Sequence, residues 1–232
     1  MVKQACYVKY GIIGERRRHA VRIPLASPIV TAIQHLLFDI GQVLLRLDYD
    51  RVIPRVLELC DERIRSRGAA FFTAIRKDPA LQAYERGELT AEAYFEAFRT
   101  KTGFSASFET FISLWRDIFS ENEPMIAFGR ELADTYPVYF MSNAGDLHVP
   151  YAYEAFPSLR FFTDDAISCY LHAAKPDRTF YEKALAKFDL QPETCLFIDD
   201  QHENVAGAQA VGIKAIQYTD PEKTIRRVRA LL

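Results

Sequence analysis

Three short apolar runs in this sequence end in side chains that can handle charge. Leu36-Leu37-Phe38 leads into Asp39-Ile40-Gly41, Val138-Tyr139-Phe140-Met141 into Ser142-Asn143, and Leu196-Phe197-Ile198 into Asp199-Asp200. Runs of this length read as buried strands, and in an open parallel sheet the carboxyl ends of the strands form the edge where ligands bind. Asp39, Asp199 and Asp200 are therefore expected to meet. Three carboxylates in a partly dry cleft repel one another by several kcal/mol unless a cation neutralises them. An all-oxygen set with no His or Cys nearby selects a hard divalent ion, Mg²⁺ first. A cation held there also prepares the place for an anion, and Ser142, Asn143 and Lys175 are suitable donors to phosphate oxygens. Pro176 fixes the backbone after Lys175, with a helix expected to start near Asp177. Asp39, beside the metal and this lysine, is placed as a nucleophile for in-line attack on phosphorus.

The elements that must position these groups follow from the same alternation. Strands are expected at Leu36 to Asp39, Val138 to Ser142, Leu159 to Thr163, Cys195 to Asp199 and Ile213 to Tyr218. Between them, helical period predicts helices at Pro124 to Thr135, Asp146 to Ala155, Thr179 to Phe188, Glu203 to Val211 and Pro221 to Leu232. The stretch from about 50 to 121 breaks the rhythm with helical spacing and no convincing strand. Thr90 with Glu92 and Ala93 resembles a helix start, and Gly87 closes the segment before it. The fold class is α/β: a Rossmann-like parallel sheet core, residues 34–49 and 122–232, with a small helical-bundle cap at 50–121. The aromatic residues of that insertion, including Phe71, Phe72, Trp115 and Phe119, read as bundle core rather than a ligand box.

The chain has 232 residues, 49% hydrophobic, and 29 Lys+Arg against 31 Asp+Glu give a formal charge of -2. That excludes a disordered chain and allows one substantial core. The longest apolar runs fall far short of the ~18 residues of a membrane span, so no membrane partner is expected. Cys6, Cys60, Cys169 and Cys195 show no metal or redox spacing and read as thiols of a reducing, cytoplasmic compartment. Residues 1–33 carry Lys3, Lys9, Arg16, Arg17, Arg18 and Arg22 against Glu15, a basic extension set apart from the fold. No aromatic residues interleave with its arginine run in a nucleic-acid pattern, so no nucleic-acid partner is expected.

The ordered set Asp39-x-Gly41-x-Val43-Leu44, Ser142-Asn143, Lys175-Pro176-Asp177, Ile198-Asp199-Asp200, with Asn204 and Gly212 following, resembles the four motifs of the haloacid dehalogenase superfamily. Glu85-Arg86-Gly87-Glu88-Leu89 and Ser142 to His148 look most like its small-cap branch, which includes bacterial glucose-1-phosphate phosphatases. The resemblance implies Asp39 as nucleophile and metal ligand, and Gly41 as metal ligand through its carbonyl. It implies Ser142 and Lys175 on the transferring phosphoryl group, and Asp199 and Asp200 completing the Mg²⁺ shell directly or through water. The implied activity is Mg²⁺-dependent hydrolysis of a small phosphomonoester, such as a sugar phosphate, through a phospho-aspartate.

Two departures from the family pattern matter. Phosphatases of the superfamily usually carry a second Asp two positions after the nucleophile to protonate the leaving oxygen, and here that position is Gly41. Losing a general acid costs roughly 10²- to 10⁴-fold. Esters with poor leaving groups are then expected to react slowly unless His148 or a cap residue supplies the proton. The second departure is His172, where the family generally has glycine, at a position where φ > 0 would be strained. Rival readings are a dehalogenase, which needs no general acid, and a catalytically weak phosphate- or partner-binding protein. The bland readings are helix capping for the Asp residues, a turn for Ser142-Asn143, and a helix-start role for His148. Glu85 and Arg86 either reach substrate from the cap or form a solvated charged pair.

Overall fold

Leu36-Leu37-Phe38 has no polar side chain for either face of a sheet, so it can only be a central strand covered on both sides. The computed structural model, which describes residues 32–68 and 70–232, has it there. Five parallel strands lie in the order β5 (Asp164–Ile167), β4 (Val138–Ser142), β1 (His35–Phe38), β6 (Cys195–Asp199) and β7 (Lys214–Gln217). Leu36 and Phe38 point into one buried cluster and Leu37 into another, as period two requires. Helices α7 (Glu123–Ala133), α8 (Val149–Ala155) and α12 (Pro221–Arg229) supply apolar residues to the first cluster. On the second face lie α10 (Arg178–Phe188) and α11 (His202–Ala210), through Phe180, Ala184, Phe188 and Ala208. The short α9 (Ser168–Leu171) follows β5. This is the Rossmann-like α/β sandwich expected.

Between β1 and β4 a two-stranded antiparallel ribbon, β2 (Leu45–Leu47) with β3 (Phe119–Glu121), zips together the two ends of a helical insert. Asp48 N bonds Ile118 O at 2.8 Å, so the chain leaves and re-enters the core at one place. The insert holds α1 (Ile53–Glu58), α2 (Glu62–Arg65), α3 (Ala70–Ile75), α4 (Pro79–Glu85), α5 (Ala91–Thr102) and α6 (Phe108–Arg116). Side chains of Asp61, Asp78, Thr90 and Ser107 accept from first-turn N–H groups and start α2, α4, α5 and α6. The insert has its own apolar core, in which Phe71, Tyr84, Tyr94, Phe98, Phe111 and Trp115 are buried and stack edge-on or face-on.

The sequence reading needs correcting at β5 and at the ribbon. The strand expected at Leu159 to Thr163 is instead Asp164–Ile167, and Pro157–Leu159 is a 3₁₀ turn. Leu159 and Phe161 pack on the core from that turn, while edge residues Asp164 and Asp165 need no apolar surroundings because Lys187 pairs with both. The ribbon strand at Phe119–Glu121 lies in the stretch read as strandless; three residues are too few to show a period. Ile33, counted with the basic extension, is buried in the sheet cluster. The remainder of that extension to residue 31, Cys6 and the side chain of Phe72 lie outside the described residues.

Candidate active site

In sheet order, with β1 lying between β4 and β6, connections run outward in opposite directions, so a crevice opens at their carboxyl ends. Asp39 stands just past β1, tied to β6 by Asp39 N donating to Ile198 O at 2.9 Å. Ser142 ends β4 and Asp199 ends β6, and both are buried. Asp39, Asp199 and Asp200 each offer a carboxylate oxygen within 4.8 Å of the others. The loop after α9 brings in Lys175, whose side chain is 1% exposed. Its Nζ lies 2.9 Å from Asp39 Oδ1 and donates to Asp199 Oδ2 at 2.6 Å and to Met141 O at 2.8 Å.

Opposing effects set the charges here. Burial works against the Lys175 ammonium, yet Asp39 and Asp199 outweigh it and hold its pKa above the ordinary lysine value. Burial pushes the Asp39 carboxyl up; Lys175 opposes and Asp199 adds to the push, and the net direction is upward. Burial and then Asp199 also raise Asp200. Three carboxylates against one ammonium leave two formal negative charges, the deficit one divalent cation fills. Among the four oxygen ligands expected, Asp199 is already heavily used. Its Oδ1 accepts from Gln201 N at 2.8 Å, and Asn204 Nδ2 donates to both its oxygens. Asp39 Oδ1 accepts from Ile40 N, while Oδ2 is 3.9 Å from where a Gly41 Cβ would stand. Asp39 Oδ2, Asp200 and the Gly41 carbonyl remain the oxygens available to an ion.

Asn143 spends its side chain on the lysine loop. Its Nδ2 donates to Lys175 O and its Oδ1 accepts from Lys175 N, both at 2.8 Å. His172, three residues earlier, takes the left-handed conformation with φ +48, the one a glycine would adopt without strain. Its Nδ1 lies 3.3 Å from Arg86 O. His148 heads α8 with no capping bond from its side chain and stacks on Trp115, with Phe119 edge-on. Burial, then Arg116, hold it down to about 4.

A cavity of about 390 Å³ covers the cluster. Asp39, Gly41, Ser142, Lys175 and Asp200 line it from the core; Tyr49, Arg76, Gln82, Glu85 and Arg86 line it from the insert and the segment leading to it. A smaller recess of about 90 Å³ shares Gly41, Leu47, Tyr49, Glu85 and Ser142 with it and is also lined by Ile118, Phe119 and Val149. Sequence reasoning gave no sign of Tyr49 or Arg76 at the site, since neither sits in a motif.

The profile of the haloacid dehalogenase-like hydrolases matches residues 33–212. The chain belongs to this family. The sesquiterpene phosphatase astK of Aspergillus oryzae is 26% identical to it over 212 residues, 87% of this chain and 98% of the relative. HAD family enzyme bt-2542 of Bacteroides thetaiotaomicron superposes with a TM-score of 0.72 at 23% identity, over 82% of this chain and 95% of its own. That enzyme has also been solved in complex with magnesium and inorganic phosphate. L-2-haloacid dehalogenase of Xanthobacter autotrophicus superposes at 0.61 with 15% identity, over 85% and 83%. At these identities the structural likenesses establish the shared fold of a haloacid dehalogenase-like hydrolase, and no helix among the described residues is long and apolar enough to cross a membrane.

Proposed function

We propose that this haloacid dehalogenase-like hydrolase is a Mg²⁺-dependent phosphatase that cleaves a small phosphomonoester through a phospho-aspartate on Asp39. The observation that carries the reading is the charge balance: Asp39, Asp199 and Asp200 crowd around the single Lys175 beneath a polar cavity. Asp39, Asp200 and the Gly41 carbonyl would hold Mg²⁺, with Asp199 behind them. When bound, the ion balances the surplus negative charge and stabilises the equatorial phosphoryl oxygens. Lys175, fixed by Asp199 and Asn143, would hold a phosphoryl oxygen with Ser142 and the Asn143 main chain. One Asp39 carboxylate oxygen would face the ion while the other attacks phosphorus as the ester oxygen leaves; water then attacks the phospho-aspartate, releasing inorganic phosphate and restoring Asp39.

A cavity of about 390 Å³ suits a small molecule. Its polar wall of Arg76, Gln82 and Arg86 supports a hydroxyl-bearing leaving group such as a sugar, whereas the apolar recess and the astK relative support a terpenoid one. The three buried, unpaired thiols Cys60, Cys169 and Cys195 support a cytoplasmic setting. We read the helical insert as a cap that chooses substrate. Dehalogenation would be served by Gly41 but gives no role to the surplus carboxylates. Phosphate release from aryl, sugar and sesquiterpenyl phosphates, with Mg²⁺ or excess chelator and beside a 2-haloacid panel, tests the reading. Mg²⁺-dependent phosphate release supports it; halide release with chelator present would replace it.

A further inference from the structure

The position two residues after Asp39, where phosphatases of the superfamily usually carry the acid that protonates the leaving oxygen, is Gly41; the other core carboxyls lining the cavity are Asp200, placed with the ion, and Asp177 at the head of α10. Across the cavity, the insert presents one carboxyl, Glu85, at the last residue of α4. Its backbone is braced against the core. Ser168 Oγ donates to Glu85 O at 2.5 Å and accepts from Ala144 N at 3.0 Å, two residues past Ser142. Tyr84 OH donates to Asp146 Oδ1 at 2.9 Å and accepts from Leu147 N at 3.0 Å. Gly87, at φ +67, lies so close to α9 that a Cβ would stand 2.2 Å from Cys169 O. Residues 84–87 are thus held at fixed positions relative to the strand ends that carry Asp39 and Ser142.

The Glu85 side chain itself does none of this bracing. Among the described residues its carboxyl has no hydrogen bond and no ion pair within 4.0 Å. Arg86 is bonded to Glu88, and Arg76 lies over the Tyr49 ring at 5.9 Å. Tyr49, Arg76, Glu85 and Asp200 line the same cavity, so the carboxyl of the insert and that of the core border one space. Glu85 lines both the main cavity and the recess, and both are also lined by Gly41 and Ser142. A rigidly mounted carboxyl with no structural partner at this place has the attributes of a functional acid.

We propose that Glu85 is the acid–base residue of this site, taking from the insert the role that Gly41 leaves vacant on the core. The inference rests on the phosphomonoester reading above. As Asp39 forms its bond to phosphorus and the ester P–O bond breaks, the Glu85 carboxyl gives its proton to the departing oxygen. The resulting carboxylate takes a proton from the water that attacks phosphorus, the Asp39–phosphorus bond breaks, and Glu85 is again protonated. Burial pushes the Glu85 carboxyl up to about 7 against the pull of Arg76 and Arg86, so both forms are present near neutral pH. The titratable and charged groups facing it are Arg76, Arg86, Tyr49, Tyr94 from α5, and Asp200 across the cavity. His148, the other candidate, is neutral at that pH and packed against Trp115.

The test compares kcat/KM, which reports the first half-reaction up to departure of the leaving group and not hydrolysis of the common phospho-aspartate, for p-nitrophenyl phosphate and a primary alkyl phosphate at saturating Mg²⁺ by the wild type, Glu85→Gln and Glu85→Asp across pH. The phenolate leaves with little help and the alkoxide does not. Glu85→Gln is expected to lose at least about 100-fold more on the alkyl ester than on the aryl ester. The wild type is expected to lose alkyl kcat/KM above neutral pH, and this fall should vanish in Glu85→Gln and persist, at lower rate, in Glu85→Asp. Equal losses on both esters, or an unchanged basic limb in Glu85→Gln, would overturn the assignment while leaving the phosphatase reading intact. A wild type that cleaves neither ester would overturn both.

Discussion

Asn143 and Lys175 hold each other by two reciprocal 2.8 Å hydrogen bonds, carboxamide to backbone, across 32 residues of sequence. This clasp ties the end of β4 to the loop that delivers the ammonium. Asn143→Ala should therefore cost about 1–3 kcal/mol, two partly buried hydrogen bonds, and lower kcat more than it raises KM. Thermal melts and steady-state kinetics check this; an unaltered kcat would mean that Lys175 is placed by its ion pairs alone.

Lys175→Met keeps the length of the side chain and removes the charge between Asp39 and Asp199. Two buried carboxylates would then lack compensation, at a cost of about 3–5 kcal/mol in metal-free protein. Mg²⁺ or a lower pH should recover part of the loss, since each relieves the same repulsion. A metal-free variant melting at the wild-type temperature would show that the carboxylates do not share Lys175 as described.

Much of this site was legible before any coordinates. Asp39, Ser142 and Asp199 follow from a rule about strand ends, because a parallel sheet must place those ends on one edge. Lys175 needed the Lys-Pro-Asp sequence, which fixes a turn before a helix. The strand at Asp164–Ile167 was hidden because an edge strand paired through Lys187 carries no apolar signature, while Leu159 and Phe161, which look like a strand, are core residues of a turn. Glu85 was legible as a cap residue that either reaches substrate or forms a solvated charged pair with Arg86, and the sequence did not decide between the two. Its significance comes from the bonds of Tyr84 and Ser168, which join residues more than 60 positions apart and leave no local pattern.

Gly41 has room for a side chain. A Cβ there would lie 3.5 Å from Leu47 Cδ1 and 3.9 Å from Asp39 Oδ2, both ordinary contacts, and its φ is not left-handed. Gly41→Asp should therefore fold, and in the Glu85→Gln background it should recover roughly 10-fold or more of the lost alkyl-phosphate turnover by supplying an acid from the core. No recovery in a folded double variant would argue that the two positions do not face the same leaving oxygen.

The raised Glu85 carboxyl also makes a prediction about stability. In the unfolded chain it releases its proton near the ordinary 4.5, whereas in the fold it keeps it to about 7. Between those values the native state binds more protons, so the metal-free protein should lose stability as pH rises through this window. Glu85→Gln should flatten that slope, as followed by urea unfolding at a series of pH values. The same slope in both proteins would mean that Glu85 is already ionised in the fold at the acid end.

The phosphoryl group on Asp39 is the central claim, and trapping it is the direct measurement. Wild-type protein turning over an aryl phosphate with Mg²⁺ is quenched in acid within the first turnovers, digested and mapped by mass spectrometry. The account predicts one added phosphoryl group on the peptide carrying Asp39, labile to hydroxylamine and absent from Asp39→Asn and from samples with chelator. Phosphate release with the adduct on another residue, or Asp39→Asn turning over at the wild-type rate, would contradict it.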